Sequence, residues 1–244
     1  MRFKSISNFR DLGGYKTGNG GMVAWRRVFR SGELARIDEE DYRRLKEEIK
    51  LATVIDLRSD FEIERQGIGL SAGTGIKYHN VSFLADGGNN KADEQRYRNI
   101  TNMGEFYVLI TRNKGFGTSI VKALEIIAER QNHPLVFNCT IGKDRTGILA
   151  GILLSALGVE DRDIIEDYTL SGPYVEVVRQ KLISEGKMPE EVKPLPDFFW
   201  KASPESMKTL LNALRRDFGS IESYLESMGS ADSLTERLKA ALLV

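Results

Sequence analysis

One cysteine and one arginine stand close together in the segment Pro134–Val159, between an apolar run and a second, longer one. Cys139 is the only cysteine of the 244 residues, and five residues separate it from Arg145. A thiolate is a strong nucleophile, and a guanidinium offers a planar fork of donors to two phosphoryl oxygens. The pair therefore predicts in-line attack by sulfur on a phosphate ester, through a phosphocysteine intermediate.

The residues around this pair predict a site that binds anions. A strand is expected over residues 134–138, followed by a loop with Gly142 and a buried helix over residues 146–157. The first N–H groups of a helix lack intrahelical partners, and the helix dipole adds positive potential there. Ligands of open α/β sheets lie at the carboxyl ends of the strands, where this loop falls. The same field favours the Cys139 thiolate, and Thr146 is placed to donate a hydrogen bond to sulfur as it leaves.

Two other interpretations of this loop are less favoured. A free cysteine is often a buried small hydrophobe, but a position in an anion-binding loop with Arg145 nearby favours the nucleophile. An ATP-type phosphate loop needs Ser or Thr after Gly-Lys and an earlier glycine. Here Asp144 follows Gly142-Lys143, and no glycine lies five residues before Gly142. The second interpretation is therefore excluded.

Composition restricts the class of protein. The length suits one α/β domain, or a compact domain with a helical extension. Lys plus Arg and Asp plus Glu each number 35, so no global charge favours nucleic acid or anionic membrane. A single cysteine excludes an intramolecular disulfide and a Cys-rich metal site. With no signal-peptide core at the start and no apolar run near the roughly 20 residues of a membrane span, a soluble, cytoplasmic protein is expected, although a trimmed signal sequence would leave no trace.

Hydrophobic periodicity predicts strands that alternate with helices, and hence an α/β layer architecture. Strands are expected over residues 51–58 and 76–83. A polar stretch over residues 86–99 is typical of a mobile loop or lid. Helices are expected over residues 37–50 with Asp38 as N-cap, over 103–111, over 118–130, and from Glu160 onward with breaks at Gly172-Pro173 and over 187–196.

Four segments of the chain resemble a known family in order and spacing. The run Cys139–Gly147 is similar to the signature loop of cysteine-dependent protein tyrosine phosphatases, in which His-Cys is followed by five residues, Arg and then Ser or Thr. Its Gly-Lys-Asp-Arg-Thr-Gly form resembles a bacterial branch typified by mycobacterial protein tyrosine phosphatase B. The segments Asn8–Gly14, Val28–Leu34 and Ile55–Ser59 fit the same branch. The resemblance extends from residue 8 to about residue 170.

The resemblance implies one tyrosine phosphatase-like domain over residues 1–244. Its fold would be α/β, with a central, mostly parallel sheet flanked by helices, a signature loop at 138–147 and a helical extension over about 160–244. No metal or organic cofactor is implied. Cys139 would be the nucleophile, and Lys143 a local positive charge of the kind found in relatives that also accept phosphoinositides. The phosphate-binding set implied is Thr140, Ile141, Gly142, Lys143, Asp144, Arg145 and Thr146.

The general acid has two candidates. Phosphoryl transfer needs a carboxylic acid that protonates the leaving oxygen and then deprotonates the attacking water. The family pattern points to Asp86, just after the predicted strand, whereas Asp144 lies inside the signature loop. Four further residues are expected around the pocket: Asp11, Arg30, Asp56 and Arg58. For Asp56 and Arg58, a structural ion pair is the favoured interpretation. The two histidines, His79 and His133, are interpreted as structural.

Asn138 is the departure from the family pattern, because a histidine ordinarily precedes the cysteine. Asparagine donates hydrogen bonds but carries no charge, so a weaker thiolate is expected. The expected function is hydrolysis of phosphotyrosine, and of phosphoserine/threonine or phosphoinositides. The alternative is a pseudophosphatase that binds phosphorylated partners without turnover. A sulfurtransferase or arsenate reductase is disfavoured by the mid-chain loop and the lack of a second cysteine. The expected partner is a phosphorylated protein or phosphoinositide and not nucleic acid, with the oligomeric state open.

Overall fold

A five-stranded sheet forms the centre of the protein. The computed structural model describes residues 3–69, 75–83, 100–186 and 196–244. The strand order is β1-β2-β5-β3-β4; β1 and β2 are antiparallel, and every other neighbouring pair is parallel. The predicted α/β class with a mostly parallel sheet is confirmed. The strands are β1 (Arg10–Asp11), β2 (Val28–Ser31), β3 (Thr53–Asp56), β4 (Lys77–Asn80) and β5 (Leu135–Asn138).

The register of the sheet brings the ends of its parallel strands to one edge. Asn138, the last residue of β5, stands opposite Ser31 of β2 on one side and Asp56 of β3 on the other. Asp56 in turn stands opposite Asn80, the last residue of β4. The chain that follows each of these strands therefore begins at the same edge, and β5 occupies the middle of it.

Helices cover both faces of the sheet. One hydrophobic cluster holds α5 and the later helices against the sheet, and a second packs Leu45 and Ile49 against Val54 and Val136 on the other face. The helices are α1 (Glu39–Arg44, continued by a π-helical turn, Leu45–Ile49), α2 (Asp60–Gln66), α3 (Met103–Thr111), α4 (Lys114–Ala128), α5 (Asp144–Ala156), α6 (Asp161–Thr169), α7 (Gly172–Ser184), α8 (Pro204–Phe218), α9 (Ile221–Ser227) and α10 (Leu234–Leu242), with 3₁₀ turns at Arg130–Asn132 and Asp197–Trp200.

Most predicted elements are present with shifted ends. The helix predicted over residues 103–111 is α3, and the Asp38 side chain caps α1 by accepting the Asp41 N–H. The helix predicted from 118 begins four residues earlier, because the Asn113 side chain caps it at Lys114. The predicted break at Gly172-Pro173 is confirmed, since α6 ends at Thr169 and α7 begins at Gly172. The predicted strands over 51–58 and 76–83 are four residues long.

The strands β1 and β2 and the helix α2 were not predicted. The strand β2 contains Arg30 and Ser31, whose polarity masks a strand that is buried throughout. The helix α2 buries none of its residues and so carries no apolar stripe; it begins instead with a capping box between Ser59 and Glu62. The predicted loop over residues 86–99 and nearly all of the predicted break over 187–196 lie outside the described residues.

The one-domain organisation over residues 1–244 stays a prediction. Side chains of α6, α8 and α9, such as Ile164, Leu211 and Tyr224, share a hydrophobic cluster with Phe137 of β5. The late helices therefore pack on the same core as the sheet. None of the helices in the described ranges has both the length and the apolar character needed to cross a membrane.

Candidate active site

The loop between β5 and α5 lies at the sheet edge where the parallel strands end. Cys139 follows β5 directly and is buried, and Arg145 lies in the first turn of α5. Gly142 makes the turn at φ +76°, and a Cβ atom there would lie 2.5 Å from the Ser31 carbonyl oxygen. Only glycine fits both the left-handed backbone and this close approach.

Carbonyl groups of this loop are held from outside it. The Thr140 carbonyl accepts the Glu33 N–H at 3.1 Å, and the Asn8 Nδ2 donates to the carbonyls of Ile141 at 3.1 Å and Gly142 at 2.8 Å. In a trans peptide the C=O and the following N–H point in opposite directions. The N–H groups of Ile141 and Gly142 therefore point away from Glu33 and Asn8.

The next peptide is oriented in the same way by a buried arginine. Arg30 Nη2 donates to the Gly142 carbonyl at 2.8 Å, which turns the Lys143 N–H to the opposite side. The N–H groups of Asp144 and Arg145, at the start of α5, have no intrahelical acceptor. Successive N–H groups at a helix N-terminus form an anion-binding nest. The loop is thus shaped to surround a phosphoryl group.

Glu62 holds the Arg145 guanidinium in a bidentate ion pair. Nη1 donates to Glu62 Oε2 at 2.6 Å and Nη2 to Oε1 at 2.7 Å. The Thr140 hydroxyl also donates to Oε1, at 2.6 Å. Burial alone would lower the pKa of Arg145, but the hydrogen bonds to Glu62 and the negative charge of Cys139 outweigh it and raise that pKa above its ordinary value. The guanidinium therefore stays charged, with its orientation set by Glu62.

The same carboxylate caps α2, so one side chain joins that helix to the signature loop. Glu62 Oε2 accepts the Ser59 N–H at 2.9 Å, and the Ser59 hydroxyl accepts the Glu62 N–H at 3.2 Å. Burial raises the pKa of Glu62, but Arg145 and Thr140 more than offset this and lower it to about 2. The sequence analysis missed Glu62. Its only local signal is the capping-box pattern Ser-x-x-Glu that begins at Ser59.

The depressed pKa of Glu62 predicts a pH-dependent contribution to stability. Because the folded-state pKa is about 2 against an ordinary 4.5, the contribution is present above pH 4.5 and is lost as pH falls toward 2. We expect Glu62→Gln to have a lower Tm than wild type at pH 7, with a gap that narrows below pH 4.5. Circular dichroism melts at pH 7, 5, 4 and 3 measure this gap. The exposed Glu226→Gln on α9 is the control, and a Glu62→Gln gap constant with pH would contradict the expectation.

Thr146 presents a buried hydroxyl without a partner. The residue is completely buried, and its Oγ1 makes no hydrogen bond within the described residues. A buried hydroxyl is ordinarily satisfied, so an unpaired one indicates a reserved role. No hydrogen bond joins this hydroxyl to Cys139 Sγ in this structure, so its role as a donor to sulfur stays a prediction.

Asn138 is tied to a charged network at the strand ends. Its Nδ2 lies 3.4 Å from Asp56 Oδ1, and its Oδ1 has no partner among the described residues. Asp56 also accepts from Arg58 Nη2 at 2.7 Å and from the Tyr78 hydroxyl at 3.0 Å. The structure places Asp56 and Arg58 in a buried ion pair beside the loop, the arrangement that the sequence favoured for them.

The Lys143 ammonium group is directed away from the loop's N–H groups. Lys143 is 1% exposed, and its Nζ donates to the carbonyls of Phe199 at 2.5 Å and Lys201 at 3.3 Å. It also pairs with Asp144 Oδ1 at 3.2 Å. The same oxygen accepts the Tyr107 hydroxyl at 2.5 Å. In this arrangement any contact of Lys143 with an anion falls to its backbone N–H, and Asp144 is the first residue of α5.

The remaining predicted residues have other surroundings. Asp86 lies outside the described residues, so the choice between it and Asp144 as general acid stays open. Asp11 accepts the N–H groups of Gly13 at 2.9 Å and Arg26 at 2.7 Å, and so closes its own loop. Burial lowers the pKa of His133, whose Nε2 lies 2.8 Å from the Ile127 carbonyl. Within the described ranges no three His, Cys, Asp or Glu side chains are grouped as metal ligands.

Known proteins match over the length of the chain. Residues 1–244 fit the family model described as "Tyrosine phosphatase family". A Cupriavidus necator protein named as a tyrosine-protein phosphatase is 29% identical, covering 95% of this chain and 85% of that protein. The triple specificity protein phosphatase PtpB of Mycobacterium tuberculosis is 25% identical, covering 97% and 96%. The solved catalytic core of Siw14 is 19% identical with a TM-score of 0.42, covering 78% of this chain and 98% of that one.

Proposed function

The chain belongs to the tyrosine phosphatase family, and we propose that it hydrolyses phosphomonoesters by attack of Cys139 on phosphorus. The observation that carries the proposal is the loop itself, in which oriented N–H groups and the Arg145 fork surround the position after β5. In the first step an S–P bond forms and the P–O bond to the leaving group breaks. The leaving oxygen takes a proton from a carboxylic acid, Asp86 or Asp144.

The second step hydrolyses the phosphocysteine intermediate and regenerates the free enzyme. Water loses a proton to the same carboxylate and attacks phosphorus, the S–P bond breaks, and inorganic phosphate leaves. The unpaired Thr146 hydroxyl supports this step, because a hydrogen bond to sulfur stabilises the departing thiolate. The Arg145 guanidinium has five N–H donors, and the Glu62 pair uses one on each Nη. The second N–H of each Nη has a longer contact, from Nη1 to the Leu57 carbonyl at 3.4 Å and from Nη2 to the Thr140 hydroxyl at 3.2 Å. Nε donates to no acceptor among the described residues and suits one phosphoryl oxygen, and a second oxygen would replace one of these two longer contacts.

The proposed substrates are phosphotyrosine and, more broadly, phosphoserine/threonine or phosphoinositides. Two relatives support this range, since one is named a tyrosine-protein phosphatase and another a triple specificity protein phosphatase. The Lys143 ammonium group bonds to the Phe199 carbonyl, so a second phosphate on a substrate would have to compete for it. We therefore expect phosphotyrosine to be the preferred class.

The test is pre-steady-state hydrolysis of an aryl phosphate. A covalent intermediate predicts a burst of aryl alcohol equal in amount to the enzyme, followed by slower turnover, when hydrolysis of the intermediate is rate-limiting. Rapid quenching should trap one phosphoryl group, and mass spectrometry should locate it on Cys139. A phosphoryl group trapped on another residue would contradict the proposal. Turnover without a trapped intermediate at every pH tested would contradict it as well. A panel of phosphopeptides and phosphoinositides then ranks the substrates.

A binding function without turnover is the second candidate, favoured by one observation. Asn138 occupies the position of the family's histidine and lies 3.4 Å from Asp56, where it adds no positive charge. A phosphotyrosine peptide that binds wild type at micromolar concentration without release of inorganic phosphate would support this candidate. Release of phosphate at a rate abolished by iodoacetamide would exclude it.

Replacement of Asn138 by histidine is expected to raise phosphatase activity at mildly acidic pH. An imidazole beside the Asp56 carboxylate would have a raised pKa, and its positive charge would favour the neighbouring thiolate. The acid limb of kcat/KM should move down by about one pH unit, which raises activity at pH 5.5 several-fold. Asn138→Ala is the matched control, because it removes the amide without adding charge. A pH–rate profile of Asn138→His identical to that of wild type would refute the expectation.

We also propose a cytoplasmic location. The proposed nucleophile requires a reduced thiol, and reducing compartments maintain unpaired cysteines in that state. Cys139 is the only cysteine, so no second thiol of the chain can protect it as a disulfide. Redox labelling in cell extracts measures the oxidation state of Cys139. Recovery of an oxidised thiol would contradict a cytoplasmic location.

A further inference from the structure

Two arginines share one buried carboxylate below the signature loop. Arg30 Nη1 donates to Asp167 Oδ2 at 2.5 Å, and Arg10 Nε donates to Oδ1 at 2.7 Å. Arg30 and Asp167 are almost completely buried. The Tyr15 hydroxyl, at 3.4 Å from Asp167, adds no charge. Two guanidinium groups and one carboxylate leave an excess of one positive charge, which is costly in the interior unless an anion lies near it.

Arg30 is the member of this cluster that contacts the loop. Its Nη2 donates to the Gly142 carbonyl at 2.8 Å and would lie 3.6 Å from a Cβ atom on Gly147, in the first turns of α5. Its Nε is buried and has no acceptor within the described residues. The guanidinium therefore spans from Asp167 of α6 to the carbonyl that sets the direction of the Lys143 N–H.

The charge of Arg30 acts on Cys139. Burial, with repulsion from Arg10, lowers the pKa of Arg30 to about 10, while attraction to Asp167 and to Cys139 opposes the fall. Arg30 is thus charged at neutral pH, and it is bonded to the Gly142 carbonyl of the loop that begins with Cys139. Arg145 is the other arginine with which the sulfur interacts. The family's histidine is absent from position 138, so positive charge near the signature loop has to come from other residues, among them Arg30 and Arg145.

We propose that Arg30 is a positioning residue of the signature loop, which orients the Lys143 N–H toward the phosphoryl group and supplies buried positive charge that stabilises the Cys139 thiolate. This rests on the proposed function, in which that thiolate attacks phosphorus. The role has two separable parts. The fork contributes geometry through Gly142, and the charge contributes electrostatics. A lysine at this position would keep the charge without the fork, and a glutamine would remove the charge.

Other charged groups also lie around the signature loop and stay unchanged in the comparison. They are contributed by every element packed around the loop, so a shift can be assigned to Arg30 only when these residues are retained. The groups are Arg10 on β1, Asp56 on β3, Glu62 on α2, Lys143, Asp144 and Arg145 at the start of α5, and Asp167 on α6.

The experiment measures the rate of alkylation of Cys139 by iodoacetamide as a function of pH, together with the inhibition constant of inorganic phosphate. Because Cys139 is the only cysteine, the alkylation rate reports on it alone. The variants are Arg30→Gln and Arg30→Lys. In Arg30→Gln the Arg10–Asp167 pair remains, so no buried carboxylate is left alone. Arg215→Gln is the control, because it removes an arginine from a bidentate pair with Asp161 on other helices.

We expect the midpoint of the alkylation curve to rise by about one pH unit in Arg30→Gln. In Arg30→Lys the midpoint should stay near that of wild type, while the inhibition constant of phosphate should rise about fivefold to tenfold because the fork is lost. Arg215→Gln should match wild type in both measurements. If Arg30→Gln does not unfold cooperatively, Arg30→Lys alone still tests the geometric part.

Two results would overturn the proposal. One is an alkylation midpoint in Arg30→Gln equal to that of wild type, or a shift of the same size in Arg215→Gln. The other is phosphate inhibition in Arg30→Lys equal to that of wild type. Alkylation needs no turnover, so a shifted curve in a protein that hydrolyses no phosphate ester would support the role of Arg30 and contradict the proposed function.

Discussion

Replacing Cys139 by serine is expected to lower the turnover of an aryl phosphate by at least about 10⁴-fold, equivalent to roughly 5 kcal/mol of transition-state stabilisation. A serine hydroxyl has no anionic form at neutral pH comparable with a thiolate. The N–H groups of the loop and Arg145 remain, so phosphate should still bind. Initial rates with an aryl phosphate and isothermal titration with inorganic phosphate measure the two effects.

Retained binding is the internal control of this experiment. Cys139→Ser changes one buried atom, so its Tm and its affinity for phosphate should stay close to those of wild type. A variant that turns over within tenfold of wild type would refute the assignment of the nucleophile. A variant that neither binds phosphate nor unfolds cooperatively has lost the loop, and Cys139→Ala then replaces it in the same measurement.

Replacing Arg145 by lysine is expected to lower kcat/KM by about 10³-fold, or roughly 4 kcal/mol. Lysine keeps the positive charge but provides no fixed fork, so it cannot hold Glu62 and two phosphoryl oxygens together. Glu62 would lose the bidentate pair formed at 2.6 and 2.7 Å. Both the ground-state complex and the transition state lose contacts, and the loss should be larger in kcat than in KM. Steady-state kinetics with an aryl phosphate separate the two parameters.

The chain offers a matched control for this substitution. Arg215 on α8 forms a similar bidentate pair with Asp161, at 2.5 and 2.6 Å, without contact to the signature loop. Arg215→Lys should change kcat/KM less than twofold, since the pair is partly exposed and contributes little. A loss in Arg145→Lys no greater than in Arg215→Lys would show that the fork at position 145 is not needed.

The strand β5, the loop and the helix α5 could be predicted because their local pattern is strong. An apolar run, a glycine turn and a second apolar run specify this unit without distant partners. The strand β2 could not be predicted in the same way. The guanidinium of Arg30 is paired with the carboxylate of Asp167, 137 positions away in the sequence. No local sequence pattern predicts that a buried arginine has such a distant partner. Long-range polar pairing overrides the ordinary rule that arginine is exposed.

The difference between local patterns and long-range pairs also explains which site residues were predicted and which were missed. Cys139, Arg145 and Gly142 are neighbours in the sequence, so their pattern is visible. Glu62 contacts Arg145 across 83 positions, and its own helix shows only a capping box. The expectation of a positive Lys143 side chain beside the phosphate came from the family resemblance, whereas carbonyl groups of a distant turn receive its ammonium group.

The hydrogen bonds from Lys143 to the carbonyls of Phe199 and Lys201 couple the signature loop to the turn that precedes α8. The ammonium group donates to two carbonyls 56 and 58 positions away, so a change in the length or course of the 197–201 turn removes both acceptors and leaves Asp144 as its partner among the described residues. A relative's loop cannot be transplanted into this chain with another residue at position 143 unless the turn is transplanted with it. The two segments therefore have to be changed together, although the 49 residues 148–196 lie between them.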